Sequence, residues 1–345
     1  MKNLIISLII IIALFSACEN QEVSYPDYLY TTVYFPYQTP VRTIVLGQDY
    51  EYDNSADNQH QCTIMATMGG VYKNTKDITL DVAVDNSLCD NLWLDSVGGT
   101  SIIAMPSNYY SLPADMKIQI PSGKLMGGIE VQLTDAFFAD SNALKTTYVI
   151  PLVIQSVTNA DSVLRGQATS DTADRRVAGD WAIAPKDYVL YMIKYKNPWH
   201  ASYLRRGVEV ATGNGGNSAL DTTVAYHKKY VEYDEVCNAV GISLNSVSIS
   251  LDAINKGNLK TSFKMILTFD NNNKCTIKNP DNTSYALTGS GEYVKDGDMW
   301  GGETRDVLHL QYTADFGTVT HSFTDTLVLR DREEKFETFD PIVAN

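Results

Sequence analysis

The chain is poor in basic residues and in cysteine. Lysine and arginine total 27 against 41 aspartate and glutamate residues, which gives a formal net charge of −14 at pH 7. Binding to nucleic acid requires a basic patch, so a nucleic-acid partner is not expected. Only 5 cysteines occur in 345 residues, without CxxC spacing or a neighbouring histidine pattern. The sequence therefore predicts neither a metal site nor a cofactor.

Long hydrophobic runs are also scarce, and the one present is at the start of the chain. Lys2 precedes the apolar run 4–14, and Ser16 and Ala17 separate that run from Cys18. The run is too short to cross a hydrocarbon core of about 30 Å, and small residues close it. We predict a removable lipoprotein signal over residues 1–17 and lipidation of Cys18. The alternative is an ordinary secretory signal with a cysteine there by chance.

The residues around Cys18 indicate where the protein is anchored. Phe15 departs from the leucine that is usual three positions before the lipidated cysteine. The segment 19–22, ENQE, resembles the acidic segment that directs lipoproteins of Bacteroidetes-type bacteria to the outer face of the outer membrane. We expect a lipid-anchored, surface-exposed protein of the outer membrane that touches the bilayer only through its acyl chains.

Four cysteines remain beyond the anchor: Cys62, Cys89, Cys237 and Cys275. An exported location permits disulfides. Four cysteines over so long a chain nevertheless favour small buried hydrophobic residues over a disulfide framework. We predict no structural dependence on disulfide bonds.

Charge and composition divide the chain into two parts. Residues 18–174 carry 7 basic and 19 acidic side chains, whereas residues 175–345 carry 19 and 22. The segment 160–180 is polar, small and charged, without apolar periodicity, as linkers are. We predict a tether at 18–30, a first domain at 31–165, a linker at 166–183 and a second domain at 184–345.

Both predicted domains show a two-residue alternation of Val, Ile, Thr, Tyr and Phe, which is typical of antiparallel sheets. The sequence therefore predicts an all-β protein. In the first domain, the predicted strands are 31–37, 42–46, 62–72, 77–84, 116–120, 128–133 and 146–157. About seven short strands fit an immunoglobulin-like β-sandwich.

In the second domain the predicted strands are longer. They are 188–196, 202–212, 223–234, 246–252, 260–270, 274–278, 284–294, 306–313 and 319–330. Sequential strands with hairpin links, such as the Asn-rich turn 270–273, favour an up-and-down antiparallel β-barrel. A two-sheet jelly roll is the alternative.

Specific strings add a family resemblance. The run 120–140 with TTYVIPLVI at 146–154 resembles an immunoglobulin-like domain of unknown function found in Bacteroidetes surface lipoproteins. NPWHASYLRRG at 197–207 and MWGGETRD at 299–306 resemble the lipocalin-like barrel that often follows that domain. The resemblance implies an accessory protein of a starch-utilisation-type glycan-uptake locus, with other outer-membrane uptake proteins as partners. It transfers no catalytic residues.

Two clusters combine aromatic rings with polar groups, as sugar sites do. Their candidate ligand-binding residues are Trp199, His200, Tyr203, Arg205, Trp300 and Arg305. The alternative is that the tryptophans plug the end of the barrel and that Arg205 pairs with a carboxylate.

The strand 319–330 places His321 and Asp325 on the same face as Phe323 and Leu327. Polar groups on an inward face need partners or a wet cavity. Four residues along a strand put them roughly 13 Å apart, so they cannot touch each other. They either line a barrel pocket or are hydrogen-bonded within the core.

The predicted function is non-catalytic binding of a glycan or oligosaccharide by the second domain. No residue is assigned a catalytic role. A glycoside hydrolase is one alternative, which would need two carboxylates about 5–10 Å apart. Its candidates are Glu232, Asp234, Glu292, Asp296, Asp298 and Glu303. A structural or adhesion module that contacts partner proteins is the other alternative.

Overall fold

The computed structural model describes residues 27, 28 and 30–344. The predicted signal segment, Cys18 and most of the predicted tether lie outside these residues. Within the described residues the fold is all-β, as predicted, with two short α-helices, α1 (Ser55–Asn58) and α2 (Asp135–Ala139). The 3₁₀ helices are Asn86–Cys89, Ser141–Leu144, Ala178–Asp180, Asn214–Gly216, Ser218–Leu220 and Val231–Tyr233. No helix in the described ranges has the length and apolar character needed to cross a bilayer.

The N-terminal part consists of short strands. They are β1 (Thr32–Tyr34), β2 (Pro40–Val45), β3 (Gln61–Gly69), β4 (Ile78–Val84), β5 (Leu92–Trp93), β6 (Ile103–Ala104), β7 (Tyr110–Ser111), β8 (Lys117–Ile120), β9 (Met126–Leu133), β10 (Tyr148–Thr158), β11 (Ser162–Val163), β12 (Gln167–Ala168), β13 (Trp181–Ile183) and β14 (Tyr188–Lys196).

Two sheets of these strands pack around a common core. One has the order β11-β1-β3-β9-β7, and the other has the order β14-β10-β4-β8 with β2 beyond β14. Their inner faces alternate with polar outer residues: Ile64 and Ala66 of β3 meet Ile150, Leu152 and Ile154 of β10 in one buried cluster. This half-buried alternation is the signal from which the strands were predicted.

Strand β14 belongs to this sandwich, whereas the sequence analysis assigned it to the second domain. It pairs antiparallel with β10 and parallel with β2. Val189 and Ile193 face the sandwich core, while Leu190 and Met192 face a second buried cluster on the other side of the sheet. A strand that is buried on both faces reads as a nearly continuous apolar run, which a search for alternation does not distinguish from a barrel strand.

The remaining strands build the C-terminal part. They are β15 (Ala201–Gly213), β16 (Thr222–Tyr226), β17 (Glu235–Ser243), β18 (Ser246–Asn255), β19 (Leu259–Phe269), β20 (Lys274–Lys278), β21 (Ala286–Trp300), β22 (Glu303–Asp315), β23 (Val319–Asp331), β24 (Glu337–Thr338) and β25 (Ile342–Val343).

An eight-stranded antiparallel barrel closes between β15 and β23. The order around the barrel is β15-β17-β18-β19-β20-β21-β22-β23, and β23 pairs back onto β15 from Ser202 to Gly213. The predicted up-and-down barrel is therefore confirmed and the jelly-roll alternative is wrong. Hydrogen bonds from β23 complete the free edge of β15, so the barrel has no open sheet edge there.

The four cysteines are buried and free, as predicted. Cys62 lies in the sandwich core, Cys89 in the second cluster beside β14, and Cys237 and Cys275 in the barrel core. Each occupies the place of a small apolar side chain.

The chain returns from the barrel to the sandwich through its C-terminal tail. Strand β24 pairs with β2, and β25 pairs with β5. Between the barrel and β24, the buried Arg332 side chain donates to the carbonyl oxygens of Leu46, Asn197 and Pro198, each at 2.9 Å. The Arg332 guanidinium thus hydrogen-bonds both to the residue that follows β2 and to the residues that lead into β15.

A loop of the sandwich adds a second contact with the barrel. The Tyr50 hydroxyl donates to Asp306 at 2.7 Å and to Asp296 at 3.0 Å. Both acceptors belong to the β21–β22 hairpin at the barrel end next to the sandwich. We call this end, where β15 begins and β23 finishes, the junction end, and the opposite end the distal end.

We predict that Arg332→Met lowers the free energy of unfolding by about 2–4 kcal/mol, because buried carbonyls lose charge-assisted hydrogen bonds. Urea unfolding followed by fluorescence measures the change. Arg330→Met is the matched control, since Arg330 is an exposed arginine two residues earlier, near the end of β23. Equal stability of the two variants would contradict the structural role of Arg332.

Candidate functional site

The first predicted cluster lies at the junction end, inside packed structure. Trp199 is only 7% exposed and stacks on Phe269, with ring centroids 4.0 Å apart and planes 4° from parallel. Tyr203 is fully buried, and its hydroxyl donates to the Trp199 carbonyl at 2.9 Å. Phe269 covers one face of the Trp199 ring, and the whole side chain is buried. The indole therefore closes the barrel end and offers no free face to a ligand.

His200 lies beside the same junction. Burial, together with Lys196 and Arg332 nearby, lowers the pKa of His200 to about 3. The imidazole is therefore neutral at physiological pH, and its Nδ1 accepts a hydrogen bond from the Gly241 amide at 3.1 Å. This is a structural contact between the connection into β15 and strand β17.

The second predicted cluster also meets the sandwich. The Arg305 guanidinium lies 4.8 Å from the centroid of the Tyr50 ring and 5.0 Å from that of Trp300. It also approaches Glu303 at 3.3 Å. Since Tyr50 comes from the sandwich, Arg305 forms part of the contact between the two parts of the chain, and Trp300 packs against Arg305.

Arg205 is fully buried inside the barrel and neutralised there. Its guanidinium is 3.1 Å from Asp325 and 3.2 Å from Glu235, and it stacks 3.7 Å from the centroid of Tyr226. Tyr312 donates its hydroxyl to Asp325 at 2.6 Å. Burial raises the pKa of Asp325, and Arg205 opposes that rise.

His321 joins a second group in the same interior. Its Nδ1 lies 2.6 Å from Glu209, which also accepts the Ile254 amide at 2.8 Å and the Tyr226 hydroxyl. His321 and Asp325 thus have separate partners, as their predicted separation required. Both side chains are hydrogen-bonded within the barrel core, which is one of the two predicted alternatives.

Sequence reasoning missed an interruption of the barrel wall. The sequence predicted one strand over 223–234, but the structure has β16, then a loop at 227–234, then β17. Strand β16 pairs with β15 from Gly207 to Ala211, and β17 pairs with β15 from Ala201 to Arg205. β16 and β17 therefore lie end to end along one edge of β15, and the loop leaves the wall between them.

The loop is held at its base by one carboxylate. Asp234 is buried, accepts the Lys228 amide at 2.7 Å and pairs with Arg206. Arg206 lies between the β15 residues that pair with β16 and those that pair with β17. The ion pair therefore closes the loop at the point where the strand is broken.

A slot opens in the wall beside this loop. Strand β17 pairs with β18 only as far as Ile249, so the second half of β18 has no strand partner on that side. A hollow of about 310 Å³ fills the gap. Its lining residues are Val224, Ala225, Tyr226, His227, Lys228, Glu235, Asp252, Ile254 and Lys260. We call the slot, this hollow and the loop 227–234 the barrel mouth.

Two exposed tyrosines project from the mouth loop. Tyr230 is 51% and Tyr233 is 71% exposed, and their ring centroids lie 6.2 Å apart in an edge-on arrangement of 67°. Lys229 lies 4.9 Å from the Tyr230 centroid. Two neighbouring exposed rings, on a loop whose residues His227 and Lys228 line a hollow, make the mouth the candidate binding site. The consecutive lysines 228 and 229 break the strand alternation and were the available sequence signal.

Other hollows have a different character. A groove of about 480 Å³ on the outer face of β20–β23 is lined by polar side chains such as Glu292, His309 and Gln311, without an aromatic ring. A groove of about 290 Å³ on the sandwich is apolar, with Tyr37 and Phe336 at its edge. The second suits an apolar surface of a partner protein better than a sugar.

Three of the six carboxylates considered for hydrolysis have a structural partner. Asp234 pairs with Arg206, Asp296 accepts from Tyr50, and Glu303 approaches Arg305. Glu292 lies in the groove on the outer face of the barrel, away from the mouth loop. These contacts assign three of the candidates a structural partner.

Comparison with known proteins identifies relatives of the whole chain. A crystal structure of a Bacteroides ovatus protein of unknown function is 37% identical, covers 92% of this chain and 100% of its own, and has a TM-score of 0.84. The chain belongs to the family of that protein. Residues 198–333 match a family model described as a domain of unknown function, DUF5627, and residues 28–161 match one described as an N-terminal domain.

Two further crystal structures from Bacteroides ovatus are more distant. One, of unknown function, is 15% identical, covers 89% of this chain and 99% of its own, and has a TM-score of 0.39. The other, a multidomain protein including DUF1735, is 15% identical, covers 87% of this chain and 94% of its own, and has a TM-score of 0.38. No protein of curated function matches this chain.

We predict that Asp325→Asn lowers the free energy of unfolding by about 3–5 kcal/mol, because Arg205 is left buried without its main counter-charge. The double variant Arg205→Met, Asp325→Leu is expected to be more stable than Asp325→Asn, since no uncompensated charge remains. Urea unfolding measures both, with Asp281→Asn in an exposed turn as the control. A double variant less stable than the single one would count against this account.

Proposed function

We propose that this protein is a non-catalytic, carbohydrate-binding lipoprotein of the bacterial surface and that the barrel mouth binds the saccharide. The observation that carries the proposal is the exposed pair Tyr230 and Tyr233 on a loop whose first residues, His227 and Lys228, line the hollow. The proposal keeps the predicted function and the predicted domain, but it moves the site from the junction end to the mouth.

The mouth supplies both kinds of contact that sugars need. Aromatic faces bind the apolar C–H surfaces of pyranose rings, and a few polar groups bind the hydroxyls. Tyr230 and Tyr233 provide the rings. Glu235 and Lys260 in the hollow provide an acceptor and a donor, and His227 adds a ring nitrogen.

The carboxylates of the mouth argue for binding without hydrolysis. A glycosidase needs one carboxyl group that stays protonated near neutral pH as well as one carboxylate. Asp252 accepts from Ser262 at 2.6 Å and pairs with Lys260 at 3.0 Å, and these contacts lower its pKa. Glu235 faces the Arg205 guanidinium. Asp252 is thus held as an anion and is not suited to be the acid.

Sequence features support the location and the partners in this proposal. The apolar run before Cys18 and the acidic segment after it fit a lipid anchor on the outer face of the outer membrane. The resemblance to lipoproteins of glycan-uptake loci favours other outer-membrane uptake proteins as partners. The family relative from Bacteroides agrees with that setting.

We predict that replacing both Tyr230 and Tyr233 by Ala weakens glycan binding by about thirtyfold in Kd, or ~2 kcal/mol, because the stacking surface is lost. A glycan array on the soluble fragment that starts after Cys18 selects the ligand, and calorimetry then measures its affinity. Tyr72→Ala is the matched control, since Tyr72 is equally exposed but lies on the sandwich.

Three results would overturn this assignment. Unchanged affinity of the Tyr230 and Tyr233 variant would place the sugar elsewhere. Release of reducing sugar that stops on Glu235→Gln would replace binding with hydrolysis. Absence of glycan binding altogether would favour the alternative of a module that contacts partner proteins.

We predict that Cys18→Ser transfers the protein from the membrane fraction to the soluble fraction and abolishes incorporation of labelled palmitate. The reason is that two or more acyl chains are needed for stable anchoring. Cys62→Ser, a buried cysteine in the sandwich, is expected to stay in the membrane fraction. Retention of the Cys18 variant in the membrane would refute the lipid anchor.

A further inference from the structure

The sandwich end that lies away from the barrel carries the start of the described chain. Strand β14 leads into the barrel at Lys196, and β10 runs antiparallel to β14, so β10 ends at Thr158 on the side opposite the barrel. Just beyond that point, Asp161 accepts the Thr31 amide at 2.6 Å. We call this end the sandwich base, and it consists of residues 27, 28, 30 and 31 and the loops 70–77, 121–125 and 159–161.

Hydrogen bonds join the segments of the sandwich base. The Tyr28 amide donates to the Gly70 carbonyl, and the Tyr72 amide donates to the Asp27 carboxylate, both at 2.8 Å. In the same way, the Gly123 amide donates at 2.8 Å to a carbonyl of the loop that carries Tyr72. The base is therefore one connected surface.

Three tyrosine rings of the sandwich base are left in water. Tyr28 is 79%, Tyr30 is 57% and Tyr72 is 68% exposed, and the side chain of Leu125 adds exposed aliphatic surface beside them. The base has three lysines and three aspartates and is formally neutral, although the whole chain has a net charge of −14. These charged residues are Lys73, Lys76, Lys124, Asp27, Asp77 and Asp161. An anionic surface would repel the chain as a whole, but this end carries no net charge for it to repel.

The predicted lipid anchor is close to the sandwich base along the chain. Eight residues, 19–26, separate Cys18 from Asp27. Even fully extended, a segment of this length reaches no further than roughly 30 Å. An acylated Cys18 therefore keeps the base near the bilayer, at an effective concentration that makes a contact possible even if it is weak in isolation.

We propose that the sandwich base docks on the lipid surface that holds the acyl chains, with Tyr28, Tyr30 and Tyr72 at the boundary between head groups and hydrocarbon. This inference rests on the lipid anchor of the proposed function, and it goes beyond the expectation that only acyl chains touch the bilayer. Tyrosine is enriched at membrane interfaces because its ring is apolar while its hydroxyl stays hydrated.

Docking at the base also sets the position of the barrel. Strand β10 has 11 residues and spans roughly 35 Å from the barrel side of the sandwich to the base. A docked base therefore holds the sandwich between the lipid and the barrel. The barrel mouth is then kept away from the bilayer and open to the medium.

The test measures the surroundings of the sandwich base in the full lipidated chain. An introduced surface cysteine can be labelled selectively, because the four cysteines of the described chain are buried. Lys73→Cys, next to Tyr72, carries an environment-sensitive fluorophore, and Glu51→Cys, exposed on the loop that contacts the barrel, is the control position. Each protein is reconstituted into vesicles of phosphatidylethanolamine and phosphatidylglycerol, with and without nitroxide-labelled lipid.

We expect the emission of the label at position 73 to shift to shorter wavelength and to be lost when nitroxide lipid is present. The label at position 51 should show neither change. The variant Tyr28→Ser, Tyr30→Ser, Tyr72→Ser should lose both changes at position 73. That variant should still float with the vesicles, because its acyl chains remain.

Exposed tyrosines elsewhere on the sandwich provide the matched variant. Tyr37→Ser, Tyr52→Ser removes two rings that are about half exposed or more, and the label at position 73 should keep both changes in it. Equal loss of the signal in both variants, or no loss in either, would show that the tyrosines of the base do not make the contact and would overturn the inference.

Three further outcomes would also overturn it. A label at position 73 that stays in water while the protein floats with the vesicles would refute docking and leave the lipid anchor intact. The same spectral shift in the soluble fragment that starts after Cys18, without lipid, would show that a second copy of the chain covers the base. A full chain that does not float with the vesicles would remove the anchor of the proposed function as well. None of these measurements depends on sugar binding.

Discussion

The pairing of strand β15 is the constraint on which the barrel and its mouth both depend. One edge of β15 is fully paired with β23, which closes the barrel. The other edge is shared by β17 and β16, end to end. Because an edge can pair with only one strand at each position, the chain between β16 and β17 has to leave the wall. The mouth loop is the consequence, and Asp234 with Arg206 fixes where it leaves.

The buried charges of the barrel decide how a ligand can approach. Inside the barrel behind the mouth, Arg205 pairs with Asp325 and His321 pairs with Glu209, while Nε2 of His321 and Oδ1 of Asp325 have no hydrogen-bond partner. Removing a buried charge from its partner costs more free energy than a sugar contact returns. In the proposed function, the saccharide is therefore bound from the side, at the slot between β16 and β18.

Local sequence patterns predicted most strands, but not which strands pair with each other or where a strand is interrupted. Alternation gave the positions of most strands, including β18 and β19, because one face of each is buried and the other is wet. It could not show that β14 pairs with the sandwich, since pairing is set by distant residues. The alternation also predicted a single strand over 223–234, where the structure has β16 followed by the mouth loop. The tryptophans 199 and 300 looked like binding residues because residue type does not reveal whether a ring face is covered by Phe269 or Arg305.

The contact with the sandwich explains why the exposed rings of the barrel are the tyrosines of the mouth loop and not the tryptophans at the junction end. Trp199 is stacked on Phe269, and Trp300 packs against Arg305, whose guanidinium also contacts Tyr50 of the sandwich. Arg332 and Tyr50 then hold that contact through hydrogen bonds to carbonyls and carboxylates. With its junction end covered, the barrel has its wall and distal end free for binding. Tyr230 and Tyr233 are on the wall, where a phenol ring can stay half in water because its hydroxyl is solvated.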